Sequence, residues 1–462
     1  GAARISNKHQ KLITLIQELD LLDQLIKLPD DIDVIIHNKR SSININSLLK
    51  ELIVRSKGLK KEYLENIVLF QLLIDVYDYD TAVSIREGFG YDSEFMTLNA
   101  KAGLDMFKKD LFKHDTEYFI FKEGLSKLIS TIVTKLELFD NVTLKLSEGL
   151  DKIDDSYIST DKKNRMYYEK LILTIPQEHL VKLEYLKDVK HLDSVQGIPL
   201  LRIYFKYPVK DCNPWFKSIS RTTTDNYLRQ IIPINYEQGL IMISYTDGYS
   251  TSLLTALHQR GEKVLVEAIH KEIKDIFGIR KQIPYPTDIS FHLWDNGCHF
   301  WKPGSDMDDI YDKMLKPISG KDLYLCGESY SKKQAWIEGS IETCYDVLKL
   351  MKFTDFKVKI NKDKKLKNYK IDEILKHKDW IVMEVNKELR VYDLSKWISQ
   401  HPGGDKIYNG IEANRYYKDP KKNDKTPYEI FMRNNIHKDK NVFERFFEKR
   451  HKLVKHIGFL IL

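Results

Sequence analysis

Three clusters of residues in this sequence have the types and spacing to do chemistry. In the first, a short apolar run, Asp322-Leu-Tyr-Leu-Cys326, ends in Gly327-Glu328, and a helical pattern follows to Leu348. A glycine there lets backbone approach a ligand closely, because no Cβ intervenes. The N-terminus of the helix after it offers free N–H groups and stabilises negative charge. Strand–Gly–helix alone is also an ordinary turn, so the neighbouring residues have to decide. The second cluster, 292–304, reads His-Leu-Trp-Asp-Asn-Gly-Cys-His-Phe-Trp-Lys-Pro-Gly. Its rings could wall a cage that guides a cationic nitrogen, or form an aromatic core. The third is His401-Pro402-Gly403-Gly404. Proline fixes φ and the glycine pair permits positive φ, so the turn is rigid and projects one imidazole. Imidazole is a common haem-iron ligand.

The elements that must position these groups follow from periodicity. Residues 8–28, 47–76, 94–136 (broken near 114–121 and at Gly124), 251–277 and Gln334 to Met351 carry helical spacing. Short β-branched or aromatic runs read as strands: Val142 to Leu146, Lys170 to Ile175, Leu200 to Tyr207, Leu228 to Ile232, Leu240 to Tyr245, Asp288 to Leu293 and Asp322 to Cys326. Helices mixed with a substantial sheet mean an α/β or α+β domain. A Lys-rich linker over 351–368 then precedes a small α+β domain over 369–456.

Composition excludes several classes. The 462 residues are 42% hydrophobic, enough for two or three packed cores. The net charge of +7 is spread over interleaved acids and bases, which does not mark a nucleic-acid binder. The basic stretch Lys352 to Lys370 reads as a solvated linker. Four separated cysteines suit reduced thiols in a cytoplasmic setting, and no apolar run approaches a membrane span of about 20 residues.

The 322–348 passage resembles the C-terminal FAD-binding motif of the flavin amine oxidases, the monoamine and polyamine oxidase family. Gly327, Glu328, Trp336, Glu338, Gly339 and Ser340 fall on its positions. Residues 1–22 resemble the family's Gly-rich segment and following helix. Tyr118 to Leu136, Leu146 to Ile153 and Leu171 to Pro176 match later stretches in order. The resemblance covers roughly 1–350. It implies an FAD-linked fold, a mixed sheet with a helical substrate domain. It also implies cofactor contacts at Leu150, Gly327, Glu328, Trp336, Ile337 and Ser340, with His299 and Trp301 for one cage wall and Trp336 for the other. Cys298 sits near a position where monoamine oxidases bond flavin covalently, but its spacing differs, and an inert thiol is the expectation.

Two departures stand out. The Gly-x-Gly-x-x-Gly fingerprint is absent, which is expected to reflect a missing upstream segment and to weaken FAD binding. Arg202 stands where the family commonly has a Lys near flavin N5. It could order water, pair with an acidic substrate, or form a structural ion pair.

The phrase Trp380-Ile-Val-Met-Glu-Val, Val391-Tyr-Asp-Leu-Ser-Lys-Trp397 and His401-Pro-Gly-Gly resembles cytochrome b5. It implies haem b with His401 as one axial ligand. His437 is the candidate for the second, with His451 as an alternative. The expectation is therefore an FAD-dependent oxidoreductase acting on a small-molecule amine, with a haem domain for electron transfer that could serve an electron-transfer partner. A flavin desaturase of the same superfamily differs only in substrate. A different class of reading is a non-catalytic haem-binding or interaction protein on a degenerate oxidase scaffold.

Overall fold

A computed structural model describes residues 4–28, 32–108, 116–139, 141–210, 213–353, 367–385, 388–398 and 455–460. Its contacts divide the chain into two compact units, residues 1–354 and 355–462.

The first unit is α/β, built on a seven-stranded sheet. Its strand order is Asp288–Trp301, Val195–Lys206, Leu240–Asp247, Gln230–Asn235, Thr222–Thr224, Asp33–Ile36 and Lys39–Arg40. All neighbours are antiparallel except 222–224 beside 33–36. Alternation along 195–206 sends Leu201, Ile203 and Phe205 into a core with Leu265, Ile269 and Ile273 of the helix Glu262–Phe277. The single helix expected over 251–277 is two, Tyr249–Gln259 and Glu262–Phe277. They are separated at Gly261, whose φ of 113° only glycine adopts easily.

Helices from 45 to 106 form a second core around Leu49, Leu52, Leu69, Leu73 and Ile85. Their ends are set by local chemistry. Asn44 accepts from the Ser47 N–H at 3.0 Å and Asp78 from Thr81 at 2.7 Å, each capping a helix N-terminus. The expected strand over 142–146 does not form. Val142, Leu144 and Leu146 are exposed there, and no neighbouring strand among the described residues offers them hydrogen bonds.

The helix Ile337–Leu350 lies against the helix Gln10–Glu18. The latter begins at His9, which supplies no side-chain cap. Glu338 does so from 326 residues away. Its carboxylate, 2% exposed, accepts from the backbone of Lys11 at 3.1 Å and Leu12 at 2.9 Å. A buried anion is thereby satisfied by the free N–H groups of a helix start.

The second unit is described around one four-stranded sheet, order Lys367–Tyr369, Lys455–Leu460, Glu388–Asp393 and Trp380–Val385. Ile374, Val382, Val391 and Leu460 form its core. The strand at 455–460 carries this sheet past residue 456, the end expected for the small domain. His401, His437 and His451 lie outside the described residues. Among the described residues no helix is long and apolar enough to cross a membrane.

Candidate active site

Two cavities in the first unit adjoin at Arg4, Tyr91 and Trp336, which line both. The smaller, about 230 Å³, is also bounded by Met106, Leu200, Tyr245, Cys298, Glu328, Ile337 and Ser340. The larger, about 740 Å³, opens between the 33–50 segment, the Gly88–Tyr91 turn and the strand region 221–230.

Glu328 organises the smaller cavity. Its Oε1 accepts from the backbone of His299 at 2.9 Å and of Ala335 at 2.6 Å, and its Oε2 meets His299 Nδ1 at 2.7 Å. Glu178 approaches the other side of the imidazole at 3.3 Å. Burial disfavours a charge on His299, but the bond to Glu328, helped by Glu178, outweighs it and raises the imidazole above its ordinary value. Just before Glu328, Gly327 both donates to and accepts from the Thr343 hydroxyl, which fixes the loop to the helix.

His299 and Trp301 therefore do not wall a cage. His299 is 2% exposed and Trp301 1%, and neither lines either cavity. The Trp301 indole donates to the Ser331 carbonyl at 3.0 Å, and its backbone N–H donates to Gln334 Oε1 at 2.8 Å. Period-two alternation explains this. Cys298 shares the cavity side with Leu200, so His299 and Trp301 point the other way, beneath the 328–334 loop. Burial drives the Cys298 thiol well above its ordinary value, which keeps it protonated and unreactive.

Trp336 does stand on a cavity wall. It packs edge-on against His9 (4.7 Å between centroids) and stacks on Tyr118 at 6.2 Å. Ile337 and Ser340 follow it on the first turn of the helix, beside the smaller cavity. Leu150 starts a strand of a separate three-stranded sheet and lines neither cavity. Arg202 lies 6% exposed behind the cavity, with its guanidinium 4.6 Å from the Tyr245 ring and 5.5 Å from Trp294. It is held by aromatic faces and does not line the larger cavity.

Several wall residues had no role in the sequence reading: Arg4, Tyr91, Glu94, Arg221, Tyr245 and Asp247. The Gly88-Phe-Gly90 turn was the available signal. Gly90, with φ of 88°, passes so close to Thr223 that a Cβ would sit 2.6 Å from its methyl, and this delivers Tyr91 to the cavities. Asp247 accepts from the backbone N–H groups of Asp92 and Ser93 at 3.0 and 2.9 Å.

Burial, reinforced by Asp247, pushes Glu94 up to about 8. An acid whose folded value lies above its ordinary 4.5 leaves stability full below about 4.5. Stability then falls as pH rises toward about 8. Glu94→Gln should match the wild type in acid and become progressively more stable than it from there to about pH 8. Melting temperatures of both proteins across this range test the point; a gap that stays constant with pH would refute it.

Comparison with known proteins places this geometry. Two cytochromes b5, from Rattus norvegicus and Mus musculus, are each 41% identical over 49 residues, 10% of this chain and 34% of theirs. Aplysianin-A of Aplysia kurodai is 28% identical over 131 residues, 24% of each chain. The chain thus spans about a quarter of the length of Aplysianin-A and a third of the cytochromes. An Exiguobacterium structure described as a protoporphyrinogen oxidase superposes with a TM-score of 0.56 at 12% identity. That match covers 77% of this chain and 87% of the other, and it shows a shared fold. Residues 1–347 match the flavin containing amine oxidoreductases, and with Glu328, Trp336 and the 337–350 helix around one cavity, the chain belongs to that family.

Proposed function

We propose that the chain is an FAD-dependent oxidoreductase that oxidises an amine-like small molecule. The observation that carries this reading is the smaller cavity and its opening into the larger one at Arg4, Tyr91 and Trp336. Its residues suit a flavin ring system. Leu200, Met106 and Ile337 give apolar faces, while Arg4 and Ser340 offer donors. The helix behind it starts at Ile337 with no side-chain cap from Trp336, leaving the N–H groups of Ile337 and Glu338 to face a polar ring edge. When bound, the flavin supplies a two-electron acceptor, and the remaining work is positioning. The Glu328–His299 pair sets the loop height, and Trp336 presents a ring face to a substrate nitrogen. The substrate would leave as an imine that water hydrolyses.

The test is to load the full chain with FAD and follow flavin absorbance anaerobically against a panel of primary and secondary amines. Bleaching by at least one amine, lost or slowed about tenfold or more in Trp336→Ala, is expected. Full flavin loading with no bleaching by any amine would favour the non-catalytic scaffold instead.

For the second unit we infer haem b binding with an electron-transfer role, supported by the short cytochrome b5 likenesses. The candidate ligands are His401 with His437, or His451 in its place. A Soret band in the purified chain that disappears in His401→Ala is the expected result. Its persistence in that variant would remove His401 from the site.

A further inference from the structure

Two cysteines meet where the 323–325 strand reaches the 337–350 helix. Cys326 directly follows the buried strand Leu323–Leu325, and its N–H donates to the Leu173 carbonyl at 3.0 Å. Cys344 lies on the helix. The residues beside them are clasped. Gly327 N–H donates to the Thr343 hydroxyl at 2.8 Å, and that hydroxyl donates back to the Gly327 carbonyl at 3.1 Å. Next to this clasp the Cys326 thiol donates a hydrogen bond to the Cys344 sulfur. Sulfurs that already share a hydrogen need only a short side-chain rotation to reach bonding distance.

The two thiols have unequal surroundings. Cys326 packs against the apolar cluster of Tyr311, Leu315, Tyr324 and Val347, whereas Cys344 is exposed. The bond from Cys326 stabilises a thiolate at Cys344 and holds that residue below its ordinary 9. The same bond, with burial, raises Cys326. An exposed sulfur with thiolate character is a nucleophile, and a protonated thiol in contact with it can resolve what it forms. Cys298, buried and kept protonated, has neither property.

We propose that Cys326 and Cys344 form a reversible disulfide on exposure to a hydroperoxide, stapling the strand end before Glu328 to the helix that bounds the smaller cavity. This goes beyond the oxidase reading and does not depend on it, because the oxidant can be supplied from outside. In the first step Cys344 Sγ attacks one peroxide oxygen. The O–O bond breaks, an S–OH group forms, and the other oxygen leaves as water after taking a proton. In the second step Cys326 Sγ attacks Cys344 Sγ. The S–O bond breaks, and a second water leaves with the Cys326 proton. The two thiols have then lost two electrons and two protons, and the peroxide has become two waters. The new bond closes a ring of chain that contains Glu328, Trp336, Ile337 and Ser340, all of them walls of the smaller cavity. What two hydrogen bonds from Thr343 now hold would be held covalently.

The test treats the reduced full chain with hydrogen peroxide, blocks the remaining thiols by alkylation, and maps the digest by mass spectrometry without reductant. A cross-linked Cys326–Cys344 peptide that dithiothreitol removes is expected. The melting temperature of the first unit should rise by about 5 °C on oxidation and return on reduction. Cys344→Ser should give no cross-link and no rise. Cys326→Ser should stop at the S–OH stage on Cys344, which dimedone labels. Peroxide-treated wild type in which both residues remain open to alkylation overturns the proposal, and this result needs no variant to fold. Absence of the dimedone label from Cys344 in a folded Cys326→Ser overturns the order of attack. A cross-link that leaves the melting temperature unchanged overturns the staple.

Discussion

Replacing Glu328 by Ala should lower the stability of the first unit by about 3 kcal/mol and strip most of the bound flavin. One carboxylate satisfies two backbone N–H groups and the buried His299 ring, at 2.9, 2.6 and 2.7 Å. Its removal strips the partner from the buried His299 backbone N–H and the closest one from its ring, leaving the ring only the longer contacts to Glu178 and Ser329, while the Ala335 N–H lies where water can replace the carboxylate. The effect should depend on pH in a defined direction. His299 titrates above its ordinary 6.5 in the folded chain, and the bond to Glu328 is the leading cause of the rise. That contribution is therefore full below about 6.5 and fades as pH climbs through the raised value. The loss in the Ala variant should be largest in mild acid and smaller in alkali. Chemical denaturation at several pH values, with flavin content read by absorbance, checks both parts. An unchanged midpoint with unchanged flavin content would sink the idea that this residue sets the loop.

The second large effect is expected at Gly339. In an ordinary helix Gly→Ala gains about 1 kcal/mol. Here the new Cβ would lie 2.2 Å from the Lys333 carbonyl oxygen and 2.5 Å from the Ser331 hydroxyl. The first of these is backbone and has no rotamer to yield. The helix must retreat from the 331–333 loop, carrying Ile337 and Ser340 away from the cavity. Gly339→Ala should therefore destabilise by about 2–3 kcal/mol and weaken flavin retention. A stabilised variant would show that the helix and loop are not in close contact.

The sequence drew attention to these two positions through the family motif, as places beside a cofactor, but the bonds of Glu328 to His299 and the contact of Gly339 with the 331–333 loop were not readable from it. The aromatic stretch was legible only in part. Rings at 292 and 294 lie on the same side of the sheet as Arg202, whereas those at 299 and 301 lie on the opposite side. Alternation can be counted from the sequence. Which face meets a cavity depends on what packs against the strand, here the loop carrying Glu328, Ser331 and Gln334. Arg221 and Asp247 were invisible for a related reason. Each lies far along the chain from the motif it faces, and sheet pairing brings it there. The strand expected at 142–146 had the right residue types, but residue type does not supply a hydrogen-bonding neighbour.

The clasp between Glu338 and the start of the 10–18 helix also constrains the order of events during synthesis. The helix is made before its partner, and the acid that completes its first turn leaves the ribosome more than 300 residues later. At translation speeds of about 5–20 residues per second, those amide groups wait for tens of seconds. Arg4 and Trp336 meet across the same span, so the pocket closes late. A nascent chain of this kind depends on long-range contacts and would fold slowly, with the pocket completed only once the 337–350 helix has been made.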